Sequence, residues 1–313
     1  MLPDTPPRSP KQHTEGSLGA VVSSVYVVRH GEREDHVDPY WHLLADTPYD
    51  PPLSDQGRIQ AKRTGAHLAH TLHERSCPRV DRATHFPSPP PQSHPTTTVD
   101  TITPILWDIH ASPFLRCVQT AQILAASLHE ASGSTPHLIP PIRLHPGLAE
   151  WHRESWFEVP VPEGMELKRH KEAAQQGWWP LELENQDHGS ISPPSRIGRW
   201  GESSQEMAQR IGDTFESILQ WQQDHLPRDQ SAFSSPSPSS STSYQIKTII
   251  VTHACGVQAL VGRADGISPS GWGSTIMPDN CSLTLLESEG RDESEGREMW
   301  RVVKRARTSH LMG

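Results

Sequence analysis

The sequence predicts an α/β fold, and three observations carry that prediction. Short apolar runs rich in β-branched residues stand at 24–28, 105–110 and 246–252, without a helical period. Each stops on polar or small residues: Arg29-His30-Gly31, Ala111-Ser112-Pro113 and His253-Ala254. Each is followed by helical patterning, over 54–74, from 114 and from 255. Strands of an open α/β sheet deliver the residues at their carboxyl ends into the crevice where such folds bind ligands. The polar strand tips are therefore read as the site.

The first strand sets Arg29, His30 and Arg33 close together at one rim, with Gly31 letting the chain turn sharply. Two guanidiniums beside an imidazole suit a dianion, and phosphate is the obvious one. Residues 34–52, with His36, Trp41 and Tyr49, read as an irregular loop over that rim. Ser54 is the expected N-cap of the next helix, whose apolar face is read as Ile59, Ala66, Leu68 and Leu72. The strand at 105–110 leads into a helix carrying Arg116 in its first turn, where backbone N–H groups and the positive dipole end favour an anion. A further strand at 142–145 leads into Gly147-Leu148-Ala149-Glu150-Trp151. A carboxyl pressed against tryptophan and leucine tends to stay protonated nearer neutral pH, which makes Glu150 the expected proton donor, with Glu154 and Glu158 as nearby competitors.

Residues 153–200 hold Trp156, Trp178, Trp179 and Trp200 among prolines and charges and read as a lid. Over 202–223, Met207, Ile211, Phe215, Ile218 and Leu219 mark one face of an amphipathic helix, and Ser203 to Glu206 has the form of a capping box. Cys255 falls at a helix start, where a thiol pKa can drop, but its expected role is structural. The runs at 281–286 and 299–303 read as a closing pair of strands, followed by the basic cluster 304–307.

Composition bounds the rest. The chain has 313 residues, 34% hydrophobic with 30 prolines, the profile of one ordinary domain diluted by Pro/Ser-rich insertions. Residues 1–20 read as a disordered tail, 21–313 as the domain, with low-complexity insertions near 78–104 and 228–244. A formal net charge of −9 argues against direct nucleic-acid binding. Four dispersed cysteines suit reduced thiols in the cytoplasm or nucleus. No apolar run reaches membrane-spanning length, and the N-terminus lacks a signal-peptide pattern. No acidic cluster or phosphate-cradling glycine loop calls for a metal or another cofactor.

The ordered set Arg29-His30-Gly31-Glu32-Arg33, Pro52-Leu53-Ser54, Ser112 to Ala121, Gly147 to Trp151 and Val251-Thr252-His253-Ala254 resembles the histidine phosphatase superfamily, also called phosphoglycerate-mutase-like, over roughly residues 24–286. The resemblance implies a three-layer α/β/α sandwich with a mostly parallel sheet. It also implies His30 as the nucleophile that becomes phosphohistidine, Glu150 as acid, and Arg29, Arg33, Arg116 and His253 around the phosphate. Ala254 stands where many members have glycine, and the His-Asp pair of the acid-phosphatase and phytase branch is absent. Arg33 is similar to the RHGxR-type phosphatases acting on protein tyrosine or ecdysteroid phosphates. Phosphoglycerate mutases continue differently, which favours hydrolysis of a phosphorylated small molecule or phosphoprotein over mutase-type transfer. The same set is also similar to the phosphatase-like subunit of a fungal RNA polymerase III initiation factor. That implies an alternative role in assembly, with transcription-factor subunits as partners; a homodimer is left open too. Such a subunit carries extra sequence after the phosphatase region, whereas this chain ends soon after its last strand, which weighs toward a freestanding enzyme.

Overall fold

Strand β1 (Ser24–Arg29) shows why the sheet lies between two layers of helices. Its side chains alternate, Tyr26 and Val28 to one apolar cluster and Val25 and Val27 to another, and burial on both faces is what a central strand requires. The computed structural model describes residues 24–76, 105–131, 137–155, 157, 160–183, 196–226, 245–268, 276–292 and 297–312. The expected tail at 1–20, both expected insertions, and Cys77, Trp156 and Glu158 lie outside the described residues.

After β1 come a one-turn helix α1 (Trp41–Leu44) and the long α2 (Asp55–Ser76). Next are β2 (Ile105–Ala111), α3 (Leu115–Glu130), β3 (His137–Leu138) and β4 (Ile142–Leu144). Then follow α4 (Met165–Gln176), β5 (Leu181–Leu183), α5 (Ser204–His225), β6 (Gln245–Thr252) and α6 (Ala254–Ala264). A hairpin of β7 (Leu283–Asp292) and β8 (Arg297–Arg307) closes the sheet. The strand order is β5-β4-β2-β6-β1-β7-β8, with β3 also beside β2. Pairings among β1 to β6 are parallel, and β7 runs antiparallel to β1 and to β8. This is the expected three-layer α/β/α sandwich with a mostly parallel sheet.

Several expectations change in detail. The face that α2 buries is Gly57, Ala61, Thr64, Gly65, Leu68 and Ala69, whereas Ile59 and Ala66 are exposed. The reason is close packing on α3: a Cβ at Gly65 would stand 2.6 Å from Ser127 Cβ. Ser54 caps α2 as expected, its Oγ accepting from Gly57 N at 3.0 Å. The stretch after Arg33 winds into a 3-10 turn at Glu34–His36 and then α1. The tryptophan-rich segment is only partly a lid, because β5 joins the sheet edge and Trp178 and Trp179 pack against the main core. Ser203 and Glu206 form the capping box of α5. The basic cluster 304–307 belongs to β8, where Arg305 pairs with Asp265 at 2.6 Å.

Register sets the site. Arg29 lies level with Thr252, Ala111 with Val251 and with Leu144. The carboxyl ends of β1, β6, β2 and β4 thus finish along one edge of the sheet, and the residues just beyond them meet there.

Candidate active site

His30 follows the end of β1 and is 1% exposed. Its backbone N–H donates to Thr252 O at 2.9 Å, tying the tip of β1 to that of β6. Its Nδ1–H donates to Gly31 O at 2.7 Å, which leaves Nε2 as the lone-pair nitrogen. Burial, then the charges of Arg116, His253 and Arg29, push its pKa well below the ordinary histidine value, so the ring is neutral near pH 7. Gly31 is needed for a close crossing, not for an unusual turn: a Cβ there would sit 2.5 Å from Gly57 O. Its N–H donates to Thr120 Oγ1 on α3 at 3.1 Å.

His253 follows β6 as the N-cap residue of α6 and is fully buried. Its ring lies edge-on to His30, centroids 5.3 Å apart, and edge-on to Phe114 at 5.1 Å. Nε2 meets Ser112 Oγ at 2.9 Å, and Nδ1 lies 3.2 Å from Arg116 Nη2 and 3.3 Å from Glu150 Oε2. Burial, joined by the arginines, lowers its pKa to about 4 against the pull of Glu150, so His253 is neutral near pH 7.

Arg116, in the first turn of α3, is 1% exposed with its guanidinium 4.5 Å over the Phe114 ring. Nη2 reaches Glu150 Oε2 at 3.4 Å, while Nε and Nη1 are buried with no partner among the described residues. Buried guanidinium donors are costly unless they bind something. Two such groups at a helix start form a receptor for an anion. Arg29 adds to it: Nη1 donates to Pro278 O at 2.7 Å and Nε is buried without a partner. Arg33 behaves differently, because its Nε and Nη2 both donate to Asp35, at 2.9 and 2.7 Å.

Glu150 enters from the loop after β4 and is 8% exposed. The loop is held from two directions. Thr252 Oγ1 donates to Leu148 O at 2.9 Å, Arg210 of α5 donates to Gly147 O at 2.8 Å and Ala149 O at 3.2 Å, and Arg210 in turn pairs with Glu202 at 2.5 Å. The protonated Glu150 expected from the neighbouring Trp151 is a correction. Burial alone would raise its pKa, but His253 and Arg116 outweigh it and hold the carboxyl well below the usual range. The Trp151 ring donates Nε1–H to Glu202 O at 2.8 Å and packs against the core cluster that α5 and α6 share. Glu154 sits instead beside Gly201. At Cys255, burial and the adjacent Glu150 raise the thiol pKa well above the ordinary value, so the drop that a helix start allows does not occur.

The structure thus brings His30, Glu150, His253, Arg116 and Arg29 together. Ligand atoms of His30, Glu150 and His253 lie within 4.8 Å of one another, a spacing a metal ion could bridge. The guanidiniums of Arg116, Arg29 and Arg33 act electrostatically on the same groups, and this positive surround suits an anion better than a cation. Sequence reading missed Asp50, Arg169 and Arg210. Asp50 Oδ1 accepts from Leu115 N at 2.7 Å and so caps α3; its other oxygen pairs with Arg169 of α4, whose Nε reaches Pro113 O at 3.1 Å. The polar Asp50 within an otherwise loop-like stretch was the available signal.

Comparison with known proteins finds several likenesses. The family model described as histidine phosphatase superfamily (branch 1) matches residues 100–226, which include Arg116 and Glu150. The transcription factor tau 55 kDa subunit of Saccharomyces cerevisiae is 27% identical over 194 residues, 61% of this chain and 33% of that protein. The match therefore spans about a third of that relative's length. The crystal structure of the ecdysone phosphate phosphatase from Bombix mori, in complex with tungstate, is 17% identical, covers 90% of this chain and 92% of that one, and superposes with a TM-score of 0.51. That likeness shows the fold, and the resemblance to the histidine phosphatase superfamily rests on the family model over residues 100–226.

Proposed function

Taking kinship with the histidine phosphatases as the premise, we propose that this chain is a phosphomonoester hydrolase working through a phosphohistidine on His30. The single observation that carries the reading is a set of buried guanidinium nitrogens with no partner among the described residues, Nε and Nη1 of Arg116 and Nε of Arg29, beside a neutral imidazole whose Nε2 is free to attack. Nε2 attacks phosphorus in line, the N–P bond forms and the ester P–O bond breaks. Arg116, Arg29 and Arg33 neutralise the equatorial oxygens, His253 adds a hydrogen bond from its neutral ring, and phosphoryl transfer draws most of its catalysis from such electrostatic stabilisation.

The leaving oxygen takes a proton from Glu150. At rest that carboxyl is ionised, so the proton arrives with the substrate: a phosphate monoester titrates near pH 6, and its negative charge raises the pKa of a carboxylate beside it. In the second half, Glu150 accepts a proton from water as the water oxygen attacks phosphorus and the N–P bond breaks, returning neutral His30. The substrate is a phosphorylated small molecule or phosphoprotein. The continuation Arg33-Glu34-Asp35 speaks for hydrolysis over mutase transfer.

A panel of phosphotyrosine peptides, nucleotides and sugar phosphates, run on wild type beside His30→Ala, tests the reading. Turnover should fall by about 10⁴-fold or more in the variant, with acid-labile phosphate trapped on wild type alone. Unchanged turnover removes His30 as the nucleophile.

A second reading has the yeast relative in its favour: the fold serves as an assembly subunit of a nuclear transcription factor, with catalysis incidental. Co-purification with large transcription-factor subunits at stoichiometric yield supports it, and a free monomer that turns over the panel speaks against it.

A further inference from the structure

The two oxygens of Glu150 have different surroundings. Oε1 accepts from Trp151 N at 3.2 Å and lies 3.0 Å from Cys255 Sγ. Oε2 makes only longer approaches, to His253 Nδ1 at 3.3 Å and Arg116 Nη2 at 3.4 Å. One oxygen is tied to the scaffold and the other is turned toward the anion receptor.

Cys255 is 3% exposed at the start of α6, on the element that His253 caps. We propose that Cys255 is a positioning residue for Glu150: its S–H donates to Oε1 and holds the carboxyl so that Oε2 exchanges the proton with the leaving oxygen and with water. This rests on the hydrolase reading of the same site. The thiol is suited to the part because it stays protonated; burial and the adjacent carboxylate both oppose the thiolate. For the same reasons it is no nucleophile. The groups acting on Glu150 are Cys255 of α6, His253 at its N-cap, Arg116 of α3, and Arg29 and Arg33 after β1.

The experiment compares two esters in kcat/KM, which reports the step that phosphorylates His30. The leaving group of para-nitrophenyl phosphate departs readily without a proton. Phenyl phosphate releases a phenol whose pKa, about 10 like that of tyrosine, makes protonation matter. Cys255→Ala should lower kcat/KM for phenyl phosphate roughly tenfold, the scale of one hydrogen bond to a charged group, and should leave para-nitrophenyl phosphate within about twofold. Cys255→Ser, which keeps a donor, should restore most of the loss and guards against a folding defect in the alanine variant. On a Glu150→Gln background, Cys255→Ala should add nothing.

Equal losses on both esters, or losses that add to those of Glu150→Gln, overturn the role of Cys255 and leave the hydrolase reading standing. A folded wild type that hydrolyses neither ester overturns the hydrolase reading, and this role falls with it.

Discussion

Two buried clusters in this protein have nearly the same ingredients and opposite wiring. The site holds two histidines, a glutamate and a buried arginine. Between the sheet and α5 lies a second set: Asp108, His110, His145 and Arg143. There the charges are matched within the protein. Asp108 takes Arg143 Nη1 at 2.7 Å, His110 Nε2 at 2.9 Å and Gln222 Nε2 at 2.6 Å. Arg143 also reaches Glu182 at 3.1 Å and lies 3.5 Å over the Trp221 ring. In the site, Arg116 leaves two of its guanidinium nitrogens unpartnered and meets its carboxylate only at 3.4 Å. A cluster whose charges are paired within the protein is architecture, while one whose guanidinium donors stay open is a receptor. Histidine, carboxylate and arginine in the core do not by themselves mark chemistry; the unfilled donors do.

The largest test of this contrast falls on stability. Asp108→Ala strands Arg143 and His110 in the core and should cost about 3–5 kcal/mol, the scale for breaking a buried pair by removing one partner, measured by urea denaturation. Arg116→Met removes two donors, Nε and Nη1, that have no partner among the described residues, and with them the contacts of Nη2 with Glu150 at 3.4 Å and His253 at 3.2 Å. It should leave stability within about 1 kcal/mol while lowering kcat/KM by about 10²–10³-fold, as for loss of one transition-state donor. If Arg116→Met unfolds the protein as readily as Asp108→Ala does, the two clusters are alike and the distinction fails.

These clusters also separate what the sequence discloses from what it hides. His30, His253 and Arg116 are legible because each stands at a strand tip or a helix start, so local pattern alone delivers them to the sheet edge. The ionised state of Glu150 is not legible. Its neighbour Trp151 suggested an apolar pocket, yet what decides the charge comes from residues 34 and 103 positions away, Arg116 and His253. The core cluster was invisible for the same reason: Asp108 and Gln222 are joined across 114 residues, and neither stands in a recognisable motif. Strand β5 was missed because three residues are too few to show a period.

Acid should expose a smaller difference. His253 titrates at about 4 in the folded protein and near 6.5 when unfolded. The unfolded chain therefore binds an extra proton throughout that interval, and stability falls as pH drops from about 6.5 toward 4. His110 is lowered as well, by burial, but its opposing carboxylate is nearer, Asp108 at 2.9 Å against 3.3 Å from Glu150 to His253. Melting temperature should decline between pH 7 and 5, and His253→Gln should flatten that decline more than His110→Gln. The reverse ranking would place the acid-sensitive charge in the core cluster.

The smallest effect concerns a boundary case, since Arg33 belongs to the open site by position and to the closed kind by wiring. Its fork is occupied by Asp35, in a pair about a quarter exposed, and such pairs are worth about 0–1 kcal/mol. An arriving phosphate therefore competes with Asp35 at little cost. Asp35→Asn frees the fork in advance and should tighten inhibition by inorganic phosphate by about two- to fivefold, consistent with that energy, with kcat nearly unchanged. Arg33→Ala should weaken it. If both variants bind phosphate as wild type does, Arg33 stays on Asp35 throughout, and the receptor consists of Arg29, Arg116 and His253 alone.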